Sequence, residues 1–232
     1  MHYGILPTGV SDSRRRPPPE CRERLESLDV ETFTRYALPL GTGIFLLIAL
    51  VLPLARLRLG TGTWGITALR NRDPAERRNQ LLLLACGTGL GSWCLAYLAW
   101  GPEALGVLEV PPAVQWTGWG LAAVSCAWVS LAQAQMGASW RIGIDPRPTP
   151  LITTGLFRWV RNPIYSGLLS LLVGFVLVSP ALPFLALSLL TGLLLRRQAL
   201  REEEHLRRLH GRAFSDWASR VGRFLPGIGR LR

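Results

Sequence analysis

The chain has 232 residues, is 49% hydrophobic and only 18% charged, and carries a formal net charge of +11. This composition is too apolar for a disordered protein, and the length suits one domain or at most two. All 26 basic residues are Arg, and they sit in the gaps between apolar blocks. A nucleic-acid binder would instead carry them along one soluble face, so that class is excluded.

In chain order, residues 1–35 are charged and proline-containing, with Arg14, Arg15 and Arg16 ahead of Pro17, Pro18 and Pro19. They predict a disordered polar tail with no cleavable signal peptide. Apolar blocks at 36–55, 80–100 and 114–134 follow. Each reaches the ~20 residues needed to cross a bilayer, which puts three transmembrane helices in residues 36–135. Two shorter blocks, 164–179 and 181–195, are divided only by Ser179 and Pro180 and predict a tight helical hairpin. The hairpin belongs to a third unit, residues 136–232, with a connector before it and a C-terminal segment after it.

The connectors differ in chemistry. Residues 56–79 are Arg-rich and hold the turn-like Asn71-Arg72-Asp73-Pro74, whereas 101–113 have two acids and no base. Residues 137–161 include Trp140 and then Pro146, Pro148 and Pro150, too many prolines for a helix. A stretch this irregular beside a membrane is expected to fold back onto the protein. The segment from 196 predicts a helix to about 210, broken at Gly211. The expected fold is therefore an all-α integral membrane protein of about five transmembrane helices with a cytoplasmic C-terminal helical segment. Five spans would place twenty of the 26 Arg on one side, so the positive-inside rule puts the N-terminus outside and the C-terminus in the cytoplasm.

Cys21, Cys86, Cys94 and Cys126 show neither a C-x-x-C pair nor His at zinc spacing, so packing is expected and no metal. His205 and His210 suit a surface. Arg161, Asn162, Pro163 and Tyr165 form a capped entry into the fourth span, because Asn is a favoured N-cap and Pro a favoured first helical residue. In that frame Arg161 would lie at the headgroups, and Tyr165 would join the interfacial aromatics with Trp140, Trp159 and Trp217. Such a helix start also offers free N–H groups and a positive dipole end to a carboxylate. On the C-terminal helix, residues placed at ~100° steps put Glu202 on a stripe with Ala199, Leu206 and Leu209. Glu203 falls at its edge and Glu204 points away. A carboxylate on an apolar stripe is costly without a cationic or donor partner, which makes Glu202 the prime site candidate. The plain alternative for the acidic run is a solvated patch balanced by neighbouring Arg.

Gly155-Leu156-Phe157, Arg161 to Tyr165, Glu202-Glu203 with Leu206 and Gly211, and Val221 to Pro226 together resemble the isoprenylcysteine carboxyl methyltransferase family, a relative of the membrane phospholipid N-methyltransferases. The resemblance spans roughly residues 137–226. It implies a helical membrane enzyme binding S-adenosyl-L-methionine between the last spans and the cytoplasmic elements. The family's cofactor contacts carry over to Leu151, Ile152, Phe157, Asn162, Pro163, Ile164, Tyr165 and Glu202. The family usually has His where this chain has Asn162 and Tyr where it has Phe157. Asn cannot titrate, so proton transfer there is disfavoured. Eukaryotic members hold the substrate carboxylate with Arg at the position of Gln198, beside which this chain offers Arg197.

The implied function is a membrane-embedded S-adenosylmethionine-dependent methyltransferase, with the bilayer as partner and a lipophilic methyl acceptor entering from it. No general base is named, because a carboxylate or thiolate acceptor needs none. Alternatives are phospholipid N-methylation, small-thiol S-methylation, or a non-catalytic protein of the same fold. The expected location is a bacterial inner membrane, multi-pass, with the active site facing the cytoplasm.

Overall fold

The structure is a computed structural model and describes residues 19–62, 73–140 and 150–231. Among these residues no strand forms; two isolated bridges are the only extended pairings. Helix α1 (Pro19–Leu46) runs through a π-turn at Leu47–Val51 into α2 (Leu52–Thr61), giving one rod closed by Gly62 at φ 71. Helix α3 (Pro74–Ala104) starts with the Asp73 side chain accepting from the Ala75 N–H at 2.9 Å and kinks at Gly101. Of the expected turn, Asn71 and Arg72 lie outside the described residues, while Asp73 and Pro74 begin this helix.

Helix α4 (Pro112–Met136), the short α5 (Pro163–Val178) and the long α6 (Leu182–His210) complete the bundle, and α7 (Arg212–Ala218) follows. The hairpin of α5 and α6 forms as expected. The apolar block 181–195 and the charged segment after it are one continuous helix, stopped at Gly211 with φ 54. The polar start of the chain is not a tail throughout. It is helical from Pro19, and Thr34 is buried, its hydroxyl accepting from Trp119 Nε1 at 3.2 Å. Arg35 Nε donates to the Leu98 carbonyl at 3.0 Å. These polar residues find partners on α3 and α4 that no local pattern announces.

Helices α4 and α5 meet along a seam of small residues: Gly118, Ala122 and Ser125 face Gly167 and Gly174. A Cβ at Gly118 would lie 2.6 Å from the Gly174 carbonyl oxygen, so only glycine permits this approach. Small residues at helix contacts are the usual solution where lipid removes the hydrophobic drive for association. The large apolar residues point outward instead, among them Leu40, Ile44, Leu84, Val124, Leu189 and Leu193. A water-exposed surface of this kind would be an aggregation patch.

Among the described residues two helices are long and apolar enough to cross a membrane, Val30–Gly60 and Pro74–Ala104. Their most apolar windows are only 6% and 17% buried within the protein, unlike the core helix of a soluble domain. Of the other three expected spans, α5 is a shorter apolar helix of 16 residues, ~24 Å long against a hydrocarbon core of ~30 Å. Helices α4 and α6 are long but less uniformly apolar, α6 because its second half is charged.

Candidate active site

The start of α5 is where distant parts of the chain converge. Val160 pairs with Gly222 in a parallel bridge, the Arg161 N–H donates to the Gly222 carbonyl at 2.8 Å, and the Asn162 N–H donates to Arg223 at 3.1 Å. Ser166 Oγ then donates to the Phe224 carbonyl at 2.7 Å. Gly222 sits so close to the Leu225 carbonyl that a side chain has no room. Beneath this junction Phe157, Phe214, Trp217, Ala218 and Val221 form a small core, with Leu151, Ile152 and Leu206 against it. Trp217 Nε1 donates to the Phe157 carbonyl at 3.3 Å. Trp217 and Trp140 are thus buried rather than interfacial, while Trp159 remains exposed beside Arg158.

Arg161 is buried, which corrects the expectation of a headgroup anchor. Its guanidinium is bidentate to Glu203, with both contacts at 3.2 Å, and it also donates to the carbonyls of Ala218, Val221 and Gly229. Glu203 receives further bonds from Arg223 Nε at 3.1 Å and Asn162 Nδ2 at 2.7 Å. Burial alone would raise the pKa of Glu203. The hydrogen bonds and charges of Arg223 and Arg161 outweigh that and hold it below the ordinary carboxylate value. Glu203, placed at the stripe's edge by periodicity, is therefore the residue that ties α6 to α5 and the C-terminal segment. The helical wheel misses this because the arginines come from elements remote in sequence.

Glu202, one residue away, has a different set of partners. Its Oε1 accepts from the Tyr165 hydroxyl at 2.6 Å and from Gln198 Nε2 at 3.2 Å. No described cation pairs with it. Burial raises its pKa, opposed by the Tyr165 and Gln198 hydrogen bonds and helped by the nearby Glu76 charge. Gln198, fully enclosed, also donates to Glu76 at 2.7 Å and accepts from Asn79 at 2.8 Å, while Arg201 pairs with Glu76 at 2.9 Å. Glu204 is exposed, with surface contacts to Arg207 and Arg208.

Leu151 and Ile152 pack with Phe157, while at the α5 start Asn162 bonds Glu203 and Tyr165 bonds Glu202, with Pro163 and Ile164 in the helix's first turn. Asn162 occupies the N-cap position, but its side chain makes no capping bond, being committed to Glu203. The first N–H groups of α5 are therefore left without a side-chain cap. Arg197 is apart from this group: it is exposed and lines a second, charged groove with Asp73, Glu76, Arg201, Glu204 and Arg208. Arg161, Arg223, Glu76, Asn79 and Gln198 were not predicted as a polar network. Arg161 and Arg223 each stand in one of the motifs that carry the family resemblance, and those motifs were the sequence signals pointing to it.

Outward apolar faces, small-residue helix contacts and a polar cluster gathered at one end define an all-helical membrane protein. Residues 114–213, from α4 into α7, match the family model described as phospholipid methyltransferase, in line with the resemblance carried by the sequence motifs. A solved structure of the eukaryotic intramembrane Ras methyltransferase, an isoprenylcysteine carboxyl methyltransferase, is similar with a TM-score of 0.48 and 15% identity. That likeness covers 92% of this chain and 87% of the other. No curated protein matches the chain. The family match supports a membrane methyltransferase.

Proposed function

We propose that this protein is an S-adenosylmethionine-dependent methyltransferase acting on a lipophilic acceptor at the cytoplasmic face of a bacterial inner membrane, with the α1–α2 rod, α3, α4, α5 and α6 crossing or entering the bilayer. The observation that carries the reading is Glu202. It is a carboxylate aimed by Tyr165 and Gln198, unpaired with any described cation, beside the uncapped start of α5. A cofactor with a cationic ammonium and an anionic carboxylate fits that pair of features, since a helix N-terminus favours the anion. Glu202 would hold the ammonium or the ribose, the first-turn N–H groups of α5 would hold the carboxylate, and Leu151, Ile152 and Phe157 would give the apolar wall.

The cofactor, when bound, supplies an electrophilic methyl group. The chain's own contribution is alignment and exclusion of water. Orientation alone can supply ~7–11 kcal/mol of barrier reduction. Asn162 cannot serve as a base, and its Nδ2 is spent on Glu203. The Arg161–Glu203–Arg223 clamp fixes the α5 start to the C-terminal segment, and so sets the position of Tyr165 against Glu202. Arg197 lines the separate charged groove, and no described cation pairs with Glu202 to anchor an acceptor carboxylate beside it.

Saturable S-adenosylhomocysteine binding by the detergent-solubilised protein tests the reading. Its absence across several lipid conditions would favour a non-catalytic membrane protein. Product analysis with labelled cofactor then separates a carboxylate, a phospholipid amine and a thiol as acceptors. Reporter fusions after residue 107 and at the C-terminus are expected on opposite sides; the same side for both would overturn the topology.

A further inference from the structure

After α7 the chain returns to the start of α5 and forms an exposed apolar turn, Leu225-Pro226-Gly227-Ile228. Pro in its second position and Gly in its third, with Gly227 at φ 75, are the residues a type II turn requires. The Ile228 N–H closes the turn on the Leu225 carbonyl at 3.1 Å. Leu225 and Ile228 are nonetheless 58% and 64% exposed.

Hydrogen bonds fix the direction and depth of this turn. Val160 and Gly222 pair in parallel, and the carbonyls of Gly222, Arg223 and Phe224 accept in order from the Arg161 N–H, the Asn162 N–H and Ser166 Oγ. The segment therefore runs beside the chain as it enters α5, and in the same sense. Trp159, exposed just before the bridge, suits the headgroup level. Ser166 lies three residues past Pro163, ~4.5 Å further along the axis, and the tip follows Phe224. Helix α5 offers ~24 Å to a ~30 Å hydrocarbon core, so its first turn is already at the hydrocarbon edge. The turn also hangs on the outer face of α5. Ser166 and Val173, the latter 54% exposed, are only ~20° apart at ~100° per residue, whereas Gly167 and Gly174 face α4.

Non-helical backbone at membrane depth needs its polar groups satisfied by the protein. Here the Arg223 N–H donates to the Ile228 carbonyl at 2.8 Å, Arg161 donates to the Gly229 carbonyl at 2.9 Å, and Pro226 has no N–H to place. Arg220 and Arg230, both exposed, flank the tip, and no acid follows Asp216, so the base of the turn complements an anionic headgroup layer. We propose that Leu225, Pro226 and Ile228 insert into the acyl region of the leaflet that α5 enters, as a re-entrant turn whose Arg220 and Arg230 meet lipid headgroups. Its base is the Arg161–Glu203–Arg223 clamp, so insertion holds the α5 start at a set depth. Insertion rests on α5 entering the bilayer, and not on methyl transfer.

The test places benzoylphenylalanine in the full-length protein in place of Leu225, Ile228, Val173 or Glu204, in nanodiscs of mixed phosphatidylglycerol and phosphatidylcholine. After irradiation, intact-mass spectrometry should show a shift by one phospholipid at 225, 228 and 173, and none at 204 on the charged half of α6. Arg220→Ala with Arg230→Ala should lower the share of phosphatidylglycerol adducts; an unchanged share removes the headgroup contact. Adducts at 173 without any at 225 and 228 overturn the insertion, as do crosslinks from 225 or 228 to a second copy of the chain in place of lipid. No adduct at 173 overturns the bilayer placement of α5, and the insertion with it. Lipid adducts at 225 and 228 in a protein that binds no S-adenosylhomocysteine would uphold the insertion and remove the methyltransferase reading alone.

Discussion

Replacing Glu203 with Gln tests the central clamp. The carboxylate neutralises Arg161, whose side chain is 1% exposed, and Arg223, whose side chain is 23% exposed. Gln can still accept a bond but brings no charge, so a buried guanidinium is left facing a second one without a counter-ion. Removing one partner of a buried pair typically costs ~3–5 kcal/mol. For a chain of this size roughly 2–4 °C accompanies each kcal/mol, giving a melting shift on the order of 6–20 °C in detergent. The neighbouring Glu204→Gln touches only exposed contacts and is expected to stay within ~1 kcal/mol of the parent. The clamp also sets a pH dependence. Glu203 titrates below its unfolded value near ~4.3, so its contribution is full above that value and is lost as pH falls through the folded one. Melting curves of the three proteins between pH 3 and 7 carry both readouts. If Glu203→Gln melts with Glu204→Gln, or retains the parent's acid-induced loss, the clamp does not hold the site.

Glu202→Gln is expected to weaken S-adenosylhomocysteine binding roughly ten- to hundredfold, the equivalent of ~1.5–3 kcal/mol, with little change in melting. In the parent, binding of a cationic ligand will weaken as pH falls through a Glu202 pKa that burial holds above the ordinary value; calorimetry across pH shows this, and a flat profile refutes it. Asn162→Asp will place a second carboxylate where Nδ2 now lies 2.7 Å from Glu203, so it should lower both stability and ligand affinity; unchanged melting would remove Asn162 from the clamp. Gly118→Ala forces α4 from α5 and should cost ~1–3 kcal/mol, whereas Gly120→Ala, with open space around it, should cost nothing measurable. Thermal unfolding of the pair separates the seam from a general loss of glycine.

The sequence by itself determined the helices. Apolar blocks, the Pro163 start, the Pro180 break and the Gly211 stop are local effects of hydrophobicity and backbone geometry, and α3 to α6 follow them, whereas the helix from Pro19 runs through residues whose polarity predicts a tail. It also marked the α5 start and the acidic run as the place for chemistry. What periodicity could not decide was which acid is clamped and which is left to a ligand. Glu202 and Glu203 differ by one residue and ~100° on the helix, and their roles come from Tyr165 on one side and from Arg161 and Arg223 on the other. Likewise Arg161 has the sequence signature of a headgroup anchor and becomes a buried cation only because the Gly222–Gly229 segment folds over it. A charged residue's environment is made by partners far along the chain, so burial of charge belongs to the tertiary structure, while the order of helices belongs to the local sequence.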